Sequence, residues 1–216
     1  MSDLLNISEM SGKLKYFRAI SQNPLTNDYC NNECGLRGVC YSKRLLTTAR
    51  KNAVPSFERN NRLLSTSLIT RDNIKANFKV GEHVRLLAHG ELINDLNFLN
   101  YCKIATFYPY SIFTLWTKQK DIVQDNKDFV PGNLRLIYSS PQINPSKKDS
   151  NNIPQGFTGL FNVYTKDYVD KNNIIINCKK NCVGCLRCYT LENFITNELI
   201  SLSNNDTKRY EELNKK

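Results

Sequence analysis

The alternation of apolar and polar residues along the chain predicts short strands separated by helices. Short runs rich in β-branched and aromatic residues are typical of strands, and longer runs with apolar residues at helical spacing are typical of helices. The predicted strands are 14–20, 84–88, 111–117, 134–138, 160–164 and 174–176. The predicted helices are 41–53, 57–79, 93–107, 121–126 and 191–199. The polar stretch 141–156 predicts a loop or lid, and we expect the charged tail from Asn204 onward to fray.

This order of elements predicts an α/β fold. We expect a partial parallel βα barrel-like sheet, followed by a C-terminal cysteine-rich segment that binds metal. The corresponding division is an α/β domain over 1–170, which includes an N-terminal cysteine loop, and a cysteine-rich segment with the tail over 171–216. In folds of this class, ligands bind at the carboxyl ends of the strands.

Polar residues follow several of the predicted strands directly. They are the first cysteine loop, His89-Gly90-Glu91, Thr117-Lys118, Ser139-Ser140 and Thr165-Lys166. Because the carboxyl ends of parallel strands meet at one edge of a sheet, these residues form a candidate site. The alternative is that strand ends are polar simply because they reach solvent.

Four of the eight cysteines lie within eleven residues near the C-terminus, at Cys178, Cys182, Cys185 and Cys188. Clustered cysteines in a reducing compartment indicate metal binding rather than disulfides. Gly184 lies among them and permits the tight loop that a metal site needs. The nearly consecutive spacing favours a four-iron, four-sulfur cluster. A structural zinc site at these C-terminal cysteines is the alternative.

A second group consists of Cys30, Cys34 and Cys40. Three thiolates leave one iron of a four-iron cluster without a protein ligand, and a substrate or S-adenosylmethionine could bind there. Alternatively, these cysteines supply part of one structural site that they share with the C-terminal group. Cys102 lies in the apolar stretch 99–105 and is predicted to be a thiol of the core.

The chain carries a net charge of +10, so a nucleic acid or another polyanion is one expected partner. The basic residues are scattered, however, and many basic proteins bind no nucleic acid. No stretch is long and apolar enough for a membrane span, and we expect no membrane partner. The first ten residues lack the basic and apolar regions of a signal peptide, so we expect a cytoplasmic location.

Five pieces of the sequence, taken in order, resemble the phage gene-product-88 family. They are Cys34-x5-Cys40-Tyr41, Arg85-x4-Gly90-Glu91-Leu92, Phe113-x2-Trp116-Thr117-Lys118, a strand that ends at Ser139, and Cys182-x2-Cys185-x2-Cys188. The resemblance spans about residues 12–190. It implies a phage or prophage protein in a bacterial host more than it implies a reaction. Glu91 stands where that family usually has an aspartate.

The layout is also similar to that of the radical S-adenosylmethionine enzymes. Those enzymes carry a Cys-x3-Cys-x2-Cys loop after the first barrel strand and a Gly-Gly-Glu-Pro-like stretch at the end of the second. Cys30-x3-Cys34 has the first spacing, and Gly90 and Glu91 lie where the second stretch would be. The interval from Cys34 to Cys40 is longer than in that family. The resemblance implies that the first cysteine group and Gly90 bind the cofactors.

Two hypotheses about function follow. In the first, the chain is a radical or redox iron–sulfur enzyme acting on an unknown small molecule, and its pocket is lined by Arg85, Glu91, Lys118, Ser139 and Lys166. Glu91 would hold a substrate ammonium group, and Arg85 and Lys118 would hold a carboxylate or phosphate. In the second, the chain is a zinc-stabilised basic module that binds nucleic acid or a host protein. Its aromatic residues would then stack on bases.

Overall fold

The computed structural model describes residues 4–215, so residues 1–3 of the stretch examined for a signal peptide and residue 216 of the tail lie outside it. The strands are β1 (Ser8–Glu9), β2 (Arg18–Ile20), β3 (His83–Leu86), β4 (Ile112–Thr117), β5 (Leu134–Ile143), β6 (Gly159–Tyr164) and β7 (Phe194–Leu199). The α-helices are α1 (Tyr41–Thr47), α2 (Val54–Thr66), α3 (Asp95–Phe107), α4 (Lys120–Asp125), α5 (Lys166–Asn172), α6 (Cys182–Cys185), α7 (Arg187–Thr190) and α8 (Asn204–Asn214).

All seven strands form one open sheet, in which each strand lies beside the next one in the chain. The short strand β1 pairs antiparallel with β2, and β2 to β7 are all parallel to one another. Six consecutive parallel strands in chain order form the kind of sheet that closes into a βα barrel when more strands are added. The prediction of an α/β fold with a partial barrel-like parallel sheet is confirmed.

The main core lies between one face of this sheet and the helices. Val84, Leu115 and Leu136 point to that face from adjacent strands and are fully buried against Leu64 and Tyr101, on α2 and α3. Strand residues alternate between the two faces of a sheet. The intervening residues of the same strands therefore point to the opposite, inner face.

The inner face is covered by the C-terminal cysteine segment. A small second core of Leu14, Phe17 and Tyr189 forms there, and Cys182 and Cys188 pack against it. The ring of Tyr189 meets the ring of Phe17 edge-on, with 4.9 Å between the ring centroids. This contact fixes α7 against the chain just before β2.

Several predicted elements differ from the observed ones. The predicted helix 191–199 is wrong, because Phe194–Leu199 is the strand β7 and pairs in parallel with β6. The tail does not fray, since Asn204–Asn214 forms α8, which begins with a reciprocal cap between Ser203 and Asp206. The predicted strand 174–176 is not a strand, and the helix predicted over 57–79 ends at Thr66.

None of the helices within residues 4–215 has the length and apolar character required to cross a lipid bilayer.

Candidate functional site

The first cysteine loop leaves the sheet at the carboxyl end of β2. Its residues Tyr29–Glu33 form a π-helical turn, a feature often found at functional sites. The turn closes with a hydrogen bond of 2.9 Å from the Cys34 main-chain nitrogen to the Tyr29 oxygen. Cys34 is buried, and Cys30 and Cys40 are partly buried.

Asn27 connects this loop to the residues that follow β3. Its side-chain oxygen accepts a hydrogen bond of 3.0 Å from the Cys30 main-chain nitrogen. Its side-chain nitrogen donates a hydrogen bond of 3.0 Å to the Glu91 main-chain oxygen. One buried amide therefore sets the position of the first cysteine relative to the end of the neighbouring strand.

Gly90 brings the chain after β3 close to the end of β2. It has a φ of 88°, and a Cβ atom at this position would lie 2.7 Å from the main-chain oxygen of Gln22. The Gln22 nitrogen donates a hydrogen bond of 2.9 Å to the His89 oxygen next to it. Glycine is needed here both for its conformation and for the close approach of two backbones.

Glu91 is buried and is held by three donors. One of its side-chain oxygens accepts hydrogen bonds from the Leu92 nitrogen, at 2.9 Å, and from the Thr117 hydroxyl group. The other oxygen accepts a hydrogen bond of 2.9 Å from the Lys118 main-chain nitrogen. The carboxyl group thus links the ends of β3 and β4. Burial raises the pKa of this carboxyl group, and the nearby Lys118 and the hydrogen-bond donors offset part of that effect.

The Lys118 side chain extends from the end of β4 toward β5 and the cysteine loop. Its Nζ atom donates a hydrogen bond of 3.3 Å to the Ser139 hydroxyl group. Burial alone lowers the pKa of Lys118, but Glu91 and the thiols of the first cysteine group outweigh it, so the pKa is raised. These neighbours favour the charged form of Lys118.

The thiols of the first cysteine group interact with these same residues. Burial raises the pKa of Cys30, and Glu91 raises it further. Burial also raises the pKa of Cys34, although Lys118 acts in the opposite direction. Cys40 raises the pKa of both thiols. The three cysteines, the buried carboxyl group and the lysine thus form one electrostatic cluster at the carboxyl edge of the sheet.

Helix α8 lies across this cysteine loop, a contact that the sequence did not predict. The side chain of Asn214 donates a hydrogen bond of 2.9 Å to the Gly35 oxygen, and Arg37 donates one of 3.0 Å to the Leu213 oxygen. The Tyr210 hydroxyl group accepts a hydrogen bond of 3.0 Å from the Ile143 nitrogen at the end of β5. The C-terminal helix therefore covers the loop from the side of β5.

Two residues predicted for the pocket have other surroundings. Arg85 points from β3 to the inner face, where its guanidinium group lies 3.9 Å from the centre of the Trp116 ring, beside the C-terminal cysteines. Lys166 begins α5 and forms an exposed ion pair of 2.8 Å with Asp170 on the same helix. The structure thus brings together Glu91, Lys118 and Ser139, and their assignment to catalysis stays a prediction.

The C-terminal cysteines lie on two short helices and the chain before them. Cys182 and Cys185 begin and end α6, and Leu186, with a φ of 50°, separates it from α7, which carries Cys188. The Sγ atom of Cys178 lies 3.7 Å from a side-chain oxygen of Glu198 on β7. Cys185 is the exposed member of the group. Burial raises the pKa of Cys188 to about 11.

Within the part of the chain that the structure describes, no three His, Cys, Asp or Glu side chains converge closely enough to hold a metal ion as they stand. Neither cysteine group therefore forms a preassembled metal site in the described residues. The donor set itself fits an iron–sulfur cluster, since thiolates are the ligands that such clusters take from proteins.

Comparison of the chain with profiles of known protein families, with curated protein sequences and with solved structures found no match.

Proposed function

We propose that this chain is an iron–sulfur enzyme of radical or redox type, whose reactive four-iron cluster is held by Cys30, Cys34 and Cys40. The observation that carries the proposal is the connection of the first cysteine loop to Glu91 through Asn27, and of Glu91 to Lys118, at the carboxyl edge of six parallel strands. Ligands bind at this edge in βα-barrel-type folds. A cluster held by three thiolates would, when bound, supply electrons to a ligand at its open iron, and we propose S-adenosylmethionine as the ligand.

In this proposal, Glu91 connects the ends of β3 and β4 and also binds the ligand. An ionised carboxylate offers about four acceptor positions. The chain itself uses three of them, through Leu92, Thr117 and Lys118. These bonds hold the carboxylate in one orientation, and the fourth position is left for an ammonium group of the bound ligand.

Lys118 balances negative charge at the same place. Thiolates and a carboxylate close together repel one another, and the Lys118 ammonium group reduces that repulsion. Its hydrogen bond to Ser139 directs the side chain along the edge of the sheet. A substrate carboxylate or phosphate that reaches this edge would meet Lys118 and the Ser139 hydroxyl group.

We also propose, from the resemblance of its motifs, that the chain is a phage-type protein that acts in the bacterial cytoplasm on a small molecule. Helix α8 contacts the cysteine loop through Asn214 and Arg37, and we propose that it covers the small-molecule site there.

The proposal is tested by electron paramagnetic resonance on protein purified without oxygen and reduced with dithionite. Addition of S-adenosylmethionine should change the signal of the reduced cluster. The Glu91→Gln variant should weaken this response, because an amide cannot accept hydrogen bonds at both of its ends. Glu33→Gln, an exposed change in the cysteine loop, is the matched control and should respond as the unmodified protein does.

A reduced cluster whose signal is the same with and without S-adenosylmethionine would contradict the proposed ligand. Zinc without sulfide in the purified protein would contradict the enzyme proposal as a whole. That second result would instead support a zinc-stabilised module that binds nucleic acid or a host protein.

A further inference from the structure

Three buried N–H groups on the inner side of the sheet have no hydrogen-bond partner among the described residues. They are Arg85 Nε, Trp116 Nε1 and Arg187 Nε. The three side chains line one pocket together with all four C-terminal cysteines. Guanidinium and indole N–H groups can donate but cannot accept. Leaving a buried donor without a partner is unfavourable. The pocket is therefore lined by donors that lack an acceptor among the described residues.

The charge of this pocket is positive. Arg85, Arg187, Lys179 and Lys180 all line it. The carboxylate of Glu198, which lies 3.7 Å from the Cys178 sulfur, is already shared, since Lys180 approaches it to 3.5 Å and Lys13 to 3.9 Å. An acceptor that fits here is consequently an anion.

All four C-terminal cysteines line this pocket. Cys182 and Cys185 are three residues apart on α6 and so lie on the same side of the helix. Cys188 follows on α7 and packs, like Cys182, against the small core around Tyr189. Cys178 reaches the pocket from the opposite end, near Glu198 on β7.

We infer that Cys178, Cys182, Cys185 and Cys188 hold a second four-iron, four-sulfur cluster, whose sulfur atoms accept hydrogen bonds from Arg85, Trp116 and Arg187. A cluster with four thiolate ligands is anionic and carries inorganic sulfides that accept hydrogen bonds. A zinc ion with four thiolates offers no such sulfides. This centre lies on the inner face of the sheet and does not depend on the function proposed for Cys30, Cys34 and Cys40.

The inference is tested on the full chain with the substitutions Cys30→Ala, Cys34→Ala and Cys40→Ala. This variant, purified without oxygen, should retain about four irons and four sulfides per chain. In this background, Trp116→Phe and Arg85→Met should each shift the reduction potential of the cluster to a more negative value, because each removes a donor that stabilises the reduced cluster. Arg71→Met is the matched control, since Arg71 bonds to the Phe107 oxygen at the end of α3.

Zinc in place of iron and sulfide in this background, or loss of all metal, would overturn the inference. Equal potentials for the Trp116→Phe, Arg85→Met and unsubstituted forms would overturn the role of the donors. Should the triple variant fail to fold, Cys182→Ser/Cys185→Ser in the otherwise unmodified chain tests the same point. It should lose about four irons and four sulfides per chain relative to the unmodified protein, and an unchanged iron content would overturn the inference.

Discussion

The side-chain nitrogen of Asn27 donates a hydrogen bond of 3.0 Å to the main-chain oxygen of Glu91. The two residues are 64 positions apart in the chain, and both are buried. The side-chain oxygen of the same amide accepts a hydrogen bond of 3.0 Å from the Cys30 main-chain nitrogen. The geometry between the first cysteine and the carboxylate therefore depends on one side chain.

Replacement of Asn27 by alanine should loosen the first cysteine loop. Loss of these buried hydrogen bonds leaves the Cys30 nitrogen and the Glu91 oxygen without a partner, so we expect a loss of about 1–3 kcal/mol in the free energy of unfolding. Iron should also be lost faster during anaerobic dialysis against a chelator. Asn31→Ala, in the same loop but exposed, is the control. Equal iron loss in the two variants would contradict this role of Asn27.

Gly90→Ala should be more destabilising than Gly81→Ala, as measured by urea unfolding. Both glycines have a positive φ, of 88° and 72°. A Cβ atom on Gly90 would lie 2.7 Å from the Gln22 oxygen, whereas nothing lies within 4 Å of one on Gly81. The conformation alone costs roughly 1–2 kcal/mol in both variants, and the clash adds about 1–3 kcal/mol for Gly90 alone. Equal losses would show that the backbone of Gln22 moves away without cost.

The stability of the protein should fall as the pH falls from about 6.5 to about 4, in part because of His89. Burial, with smaller contributions from Arg50 and Arg85, lowers the pKa of His89 from 6.5 to about 4. The unfolded chain therefore binds a proton in this range that the folded chain does not bind, so this contribution is complete above pH 6.5 and is lost toward pH 4. The difference corresponds to about 3 kcal/mol.

The measurement is the free energy of unfolding at several pH values, with His89→Asn as the comparison. The Nδ1 atom of His89 lies 2.8 Å from the Ser42 hydroxyl group, so the variant loses some stability at pH 7. Its stability should nevertheless vary less between pH 7 and pH 4 than that of the unmodified protein. If the free energy of unfolding changed with pH by the same amount in the two proteins, the pH dependence would come from groups other than His89.

Removal of α8 should expose the first cysteine loop to oxygen. Asn214 and Arg37 connect the helix to this loop, and the Leu213 side chain lies against Gly38. In a chain that ends at Ser203, the visible absorption should bleach faster in air. Leu213→Ser should have the same effect to a smaller degree, and Glu211→Ser, on the exposed surface of the helix, should have none. Equal bleaching rates in all four proteins would contradict a shielding role.

The sequence predicts best those strands whose own residues favour an extended conformation. β4 is rich in β-branched and aromatic residues, and the predicted range 111–117 agrees with Ile112–Thr117. The strand β7 was mistaken for a helix because its apolar residues Phe194 and Ile195 are adjacent and its parallel partner β6 is distant in sequence. Pairing across the sheet decided its conformation, and a single sequence carries little information about that pairing.

The candidate site was predictable to the extent that strand order predicts which strand ends meet. Glu91 and Lys118 follow β3 and β4 as predicted, and hydrogen bonds bring them together with Ser139. The prediction that Ser139 follows a strand is wrong, because β5 continues to Ile143 and Ser139 lies within it, beside the end of β4. Arg85 lies within β3, and the alternation of side chains along the strand turns it to the inner face, beside the C-terminal cysteines. The contributions of Asn27 and of α8 depend on contacts between distant segments, which spacing within the chain does not reveal.

The most direct test of the account is the iron and acid-labile sulfide content of protein purified without oxygen, before and after Cys30→Ala/Cys34→Ala/Cys40→Ala. Cys102→Ala, which removes a buried thiol of the main core, is the control. We predict about eight irons and eight sulfides in the unmodified protein and in the control, and about four of each in the triple variant. The same iron content in the unmodified protein and the triple variant, or zinc without sulfide in both, would contradict a reactive cluster at the first cysteine group.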